Sequence, residues 1–91
     1  MNYVSFIIKI LEKPIQTVFN KEISVTRFLA EFSKINDEKF KPIIKIAIWA
    51  NHSDNISTDF FVGNYIIIEG YISFRNKQIE ISVFKVYPFL F

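Results

Sequence analysis

Ile43-Ile44-Lys45-Ile46-Ala47-Ile48-Trp49-Ala50 decides the fold. Isoleucines at 44, 46 and 48 recur at every second residue, and Ile43, Lys45, Ala47 and Trp49 fall between them. A period of two over β-branched side chains marks a strand with one face in a core and the other turned outward. A helix would need its apolar positions three and four apart instead. The outward face of this strand carries a cation and the only tryptophan of the chain.

The same alternation continues on both sides. Upstream, Val4, Phe6, Ile8 and Ile10 share one face of a first strand, opposite Tyr3, Ser5, Ile7, Lys9 and Leu11. Pro14 ends that strand, because proline donates nothing to a ladder. Ile23 to Ser33 reads as a second strand, with Phe28, Ala30 and Phe32 on one face and Arg27, Leu29 and Glu31 on the other. The polar run Lys34 to Lys39 is the loop that leads into the third. Downstream, Asn51 to Asn55 breaks the pattern. Ser53 is placed to cap a short helix whose apolar side is Ile56 and Phe60, with Gly63 just past its end. Tyr65 to Phe74 forms a fourth strand, bent or bulged at Gly70. Arg75 to Gln78 is a tight turn, Ile79 to Val86 a fifth strand, and Pro88 opens an apolar tail ending at Phe91.

The predicted order is three strands, one short helix, then two strands, in a single domain spanning residues 1–91. Hydrophobic residues make up 51% of the chain, so an open sheet would expose adhesive edges and closure into a barrel is expected. The predicted class is therefore all-β: a five-stranded Greek-key barrel of the oligonucleotide/oligosaccharide-binding (OB) type, with one short helix between the third and fourth strands. Its core would be Val4, Phe6, Ile8, Phe28, Ile44, Ile46, Ile48, Ile66, Ile68 and Ile81, closed at the bottom by Ile56 and Phe60.

Other classes are excluded by composition. The absence of cysteine removes disulfide scaffolds and thiolate metal sites. No uncharged apolar run approaches the ~20 residues of a membrane span, and Lys9 interrupts any secretory signal pattern. With glycine only at 63 and 70, no phosphate-cradling loop exists. His52, Ser53 and Asp54 are adjacent, but a catalytic triad is assembled by a fold and not by adjacency; the expectation is a binding protein, not an enzyme, with no cofactor. Glu69 and Glu80 read as partners for lysines or backbone rather than as an acid–base pair. A net charge of +2 is compatible with a polyanion partner without demanding one.

A barrel of this type that takes up an oligonucleotide would use flat rings on which bases stack and cations that meet phosphates. Trp49 is the leading stacking candidate, on a face shared with Lys45, Ala47 and Ile43. Arg27 on the neighbouring strand and Arg75 and Lys77 in the last turn are the further cations, and Phe74 is a second ring.

These residues resemble the core of the bacterial-type single-stranded-DNA-binding proteins over nearly the whole chain. Met1-Asn2, Val4 and Pro14 stand where that family has its opening Met-Asn-x-Val and the proline after the first strand. Val25-Thr26-Arg27-Phe28 is similar to its Val-Ala-Arg-Phe, and Ile46-Ala47-Ile48-Trp49 to its Val-Val-x-(Phe or Trp). Tyr65 to Gly70 matches the ending Val-x-(Val or Ile)-Glu-Gly. The chain departs from the family in the fourth–fifth arm, reduced here to about Arg75 to Gln78, and no acidic C-terminal tail is expected. The resemblance implies sequence-independent binding of single-stranded DNA, with RNA left open, in support of replication or repair. It also implies a homo-oligomer, dimer or tetramer, joined through the first strand, and no membrane partner. Short plastid-encoded members are similar in size, and the excess of Ile, Lys, Asn and Phe fits an A+T-rich genome, so the expected location is a plastid or, failing that, the cytoplasm of such a bacterium. The alternative is an interaction or scaffold module without nucleic acid, drawing on the outward apolar residues Ile7, Leu11, Leu29 and Ile43.

Overall fold

A computed structural model describes residues 3–33, 42–51 and 61–88. They form six strands: β1 (Tyr3–Ile10), β2 (Ile15–Val18), β3 (Ile23–Phe32), β4 (Ile43–Asn51), β5 (Tyr65–Arg75) and β6 (Gln78–Pro88). Hydrogen-bonded neighbours run β1-β5-β6-β4-β3-β2, and β1 pairs with β3 as well. The ladder through the five longer strands thus returns to its start. Every pairing is antiparallel except β4 with β6, which is parallel.

Five strands were expected and six are present. The additional one, β2, is four residues long and exposed throughout, so it shows no buried face from which a strand pattern could be read. It forms because the N-terminal half of β3 would otherwise offer an open edge. Ile15 to Val18 pair with Arg27 back to Ser24, and the Gln16 amide donates to Ser24 Oγ at 3.1 Å. That bond satisfies Ser24, the one buried polar residue among the described residues. The helix expected from Ser53 to Phe60, with Ile56 and Phe60, lies outside the described residues, as does the Lys34 to Lys39 loop. No helix occurs among the described residues.

Alternation places Ile44, Ile46 and Ile48 inward, joined by Ile8, Ile10, Phe28, Ala30, Ile66, Ile68, Ile81 and Val83 in one cluster. Val4 and Phe6 were expected there but are only half-buried. The reason is pairing: β3 flanks β1 only from Ile8 to Ile10, so the first half of β1 is covered on one side alone. Phe6 still packs against the edge of the cluster, as does Phe32, and the two rings meet with centroids 4.7 Å apart.

Gly70 has the predicted role. The β5–β6 register slips between Glu69 and Gly70, and a Cβ at this position would run into the Ser82 carbonyl oxygen and come 2.9 Å from Val83 Cα. Only glycine lets the two backbones approach this closely. Beyond it the hairpin turns on two residues, Asn76 (φ 50°) and Lys77 (φ 62°). This left-handed pair matches the twist of the flanking strands.

Candidate nucleic-acid interface

Pairing sets the outer surface of β3 and β4. Across that ladder Val25 faces Trp49, Arg27 faces Ala47, Leu29 faces Lys45 and Glu31 faces Ile43. Four predicted residues therefore share one surface: Arg27 and Lys45 are exposed, Ile43 is 52% exposed and Trp49 is 38% exposed. Val25 and Ala47 on the same surface are buried, so the sheet beside the indole is tightly covered rather than open.

The missed strand β2 extends this surface. Ile15 pairs with Arg27 and Thr17 with Val25, which carries the outward row through to Phe19. The Phe19 ring stands edge-on to Trp49, centroids 5.3 Å apart and planes at 82°. A depression of about 330 Å³ lies on the β3–β4 surface, with Arg27, Leu29, Lys45 and Ala47 among its walls. Glu12 and Glu80 also line it. Glu80 is the register neighbour of Lys45 across the parallel β4–β6 ladder, and Glu12 Oε1 accepts the Leu29 N–H at 3.0 Å. The surface is thus mixed in charge, which a count of lysines and arginines along the sequence does not reveal.

The remaining predicted residues sit elsewhere. Phe74 is 69% exposed, but the row Ile44–Ile79–Phe74 places it on the sheet side opposite Lys45 and Trp49. Parity counted from Ile66 and Ile68 predicts that side. Arg75 closes β5 and Lys77 stands exposed in the turn, so both belong to the hairpin tip, apart from the β3–β4 surface.

A second aromatic surface was not foreseen. Tyr3 pairs with Tyr71 across β1 and β5, and both rings contact Phe84, at 5.8 Å and 5.4 Å. Phe84 falls within the register slip caused by Gly70, which no spacing in the sequence announces. Lys9 pairs with Tyr65 and Ile67 with Tyr87, so all four tyrosines lie on the outer side of β1, β5 and β6. Among the described residues no group of carboxylates or histidine could hold a metal ion, and no helix is long and apolar enough to cross a membrane.

No family profile matches the chain. A curated protein of Trieres chinensis, "Putative single-stranded DNA-binding protein ycf41", is 39% identical over 102 positions, covering 99% of this chain and 90% of that one. The fold resembles the SSB domain of a Synechococcus sp. protein, with a TM-score of 0.75 at 18% identity over 96% of this chain and 94% of that domain. It also resembles the second single-stranded-DNA-binding protein of Mycobacterium smegmatis, with a TM-score of 0.74 at 14% identity over 94% and 86% of the two chains.

Proposed function

The chain belongs to the bacterial-type single-stranded-DNA-binding protein family, and from that premise we propose that it binds single-stranded DNA, without regard to sequence, across the outer surface of β3 and β4. The observation that carries this reading is the half-open Trp49 on one surface with exposed Arg27 and Lys45. A base stacks on the indole, and Arg27 and Lys45, both displaced from Trp49 toward the Ile43 end of the ladder, meet the phosphates on that side. Every base has a stacking face, so the contact is blind to sequence. Ile43 adds apolar contact at the end of the strand, and Arg75, Lys77 and Phe74 form a second contact zone at the hairpin tip. Glu12 and Glu80 repel phosphate, which keeps the affinity of one copy modest. The closed ring of five longer strands is read as the OB barrel, and the role is binding in replication or repair rather than catalysis.

Modest single-site affinity is offset by joining copies. We place that contact on the first strand: Tyr3 is 63% exposed and continues into Tyr71 and Phe84, more ring surface than an isolated domain leaves in water. The same surface is the one feature that favours an interaction module as the second reading. The family relationship to a Trieres chinensis protein and the A+T-rich codon bias support a plastid location.

The deciding experiment titrates oligo-dT of increasing length at two salt concentrations while following Trp49 fluorescence. Quenching with salt-sensitive affinity is expected. Absence of both at every length overturns the nucleic-acid reading in favour of the interaction module, and the same titration with oligo-U decides whether RNA competes.

A further inference from the structure

Phe19 is an odd residue to find in the open. It is 63% exposed, yet its backbone is firmly held. Its N–H donates to the Ile23 carbonyl at 2.9 Å, and that of Asn20 donates to the same oxygen at 3.1 Å. Asn20 Oδ1 in turn accepts from the N–H groups of Glu22 and Ile23 at 2.8 and 2.9 Å. The β2–β3 hairpin therefore ends in a pinned turn that presents a phenyl ring beside Trp49. A ring whose only task is to fill space is expected to lose most of its surface to neighbours. Phe19 keeps most of its own, and its fixed backbone means that little freedom is lost when a ligand covers it.

We infer that Phe19 is a second base-stacking ring, carrying the single strand from Trp49 onto the β2–β3 hairpin. This rests on the proposed passage of DNA over β3 and β4, and extends it in a stated direction. The two rings are nearly perpendicular, so they cannot share one continuous stack of bases. The strand turns between them, with one base on each ring. Lys21 and Glu22 at the hairpin tip are both exposed and cancel in charge, so the hairpin contributes stacking and no net phosphate attraction.

The test uses the full chain and oligo-dT of graded length, with Phe19→Ala, Phe19→Leu and Phe19→Tyr beside Trp49→Ala. Phe19→Ala should bind long oligo-dT roughly 5- to 150-fold more weakly, the worth of one stacked base. Its salt slope should be unchanged, and the loss should vanish for oligonucleotides too short to reach beyond Trp49. Phe19→Tyr keeps the ring and should bind like the unchanged protein. Phe19→Leu retains apolar contact with Trp49 but no ring, and should be as weak as the alanine variant. If Phe19→Leu binds normally, or if Phe19→Ala loses affinity equally at all lengths, Phe19 merely positions Trp49 and the inference is overturned. If Phe19→Ala binds normally while Trp49→Ala does not, the inference falls and the proposed function stands. If the unchanged protein fails to bind oligo-dT, the proposed function itself falls.

Discussion

The outer surface of β2, β3 and β4 and that of β1, β5 and β6 both expose aromatic rings, but they arrange them differently. On the first, Trp49 meets Phe19 edge-on, and the same surface carries a depression walled by Arg27 and Lys45 together with Glu12 and Glu80. On the second, Tyr3, Tyr71 and Phe84 are engaged with one another, at centroid separations of 5.4–6.5 Å. Glu69 lies among these rings, paired in register with Ser5 and Lys85. Exposed aromatic area alone therefore does not mark a nucleic-acid surface. What separates the two is the company the rings keep: exposed Arg27 and Lys45 on the first surface, and tyrosine hydroxyls with Glu69 on the second. The first arrangement suits a base, and the second suits another protein surface, where tyrosine offers both apolar area and a hydrogen bond.

Both surfaces are laid over one core, so the severest way to break the distinction is from inside. Ile46→Ala should cost about 2–5 kcal/mol of stability, read as a lower urea midpoint, and DNA binding and self-association should fail together. If one activity survives at denaturant concentrations that abolish the other, the two halves do not share a cooperative core. Gly70→Ala should cost about 1–3 kcal/mol through forced backbone displacement. Because Gly70 sets the register of Phe84, sedimentation should show weaker self-association at concentrations where the variant remains folded.

Surface substitutions sharpen the contrast. Trp49→Ala should weaken oligo-dT binding by ~1–3 kcal/mol and leave the sedimentation coefficient unchanged, whereas Tyr71→Ala should loosen self-association and leave affinity for a short oligonucleotide unaltered. Identical effects of the two variants on both measurements would erase the distinction between the surfaces. The smallest expected change is electrostatic: Lys45→Ala should lower the slope of log K against log salt by about 0.7, one counterion fewer on a single strand, with no effect on assembly.

Much of this was legible in the chain. The isoleucines of β4 announce both the strand and its inward face, and the same reading fixes Arg27, Lys45 and Trp49 on one surface, because alternation and antiparallel neighbours leave little choice. What could not be read depends on contacts between segments distant in sequence. β2 exists because β3 offers it an edge, and Ile15-Gln16-Thr17-Val18 buries nothing that would betray it. Val25 and Ala47 are buried on an outward face, which alternation alone assigns to solvent. The tyrosine cluster needs the slip at Gly70, and a sequence marks the glycine without saying which residue the slip turns outward. Glu80 became a neighbour of Lys45 only through a parallel pairing of strands that a long connection separates.

The two-residue turn at Asn76 and Lys77 also bears on how the chain reaches this state. It joins two strands of 11 residues each, so the loop-closure entropy of that hairpin is small. The β1–β3 and β4–β6 ladders must instead draw together residues far apart along the chain, a cost incurred before any contact rewards it. Folding should therefore start at the β5–β6 hairpin, which can zip within about 1–10 μs. It should finish with the docking of β1 along β5, whose partners, such as Tyr3 and Tyr71, lie farthest apart along the chain. The speed of the whole process is then governed by that last closure, and a stiffer turn would leave the observed rate almost unchanged.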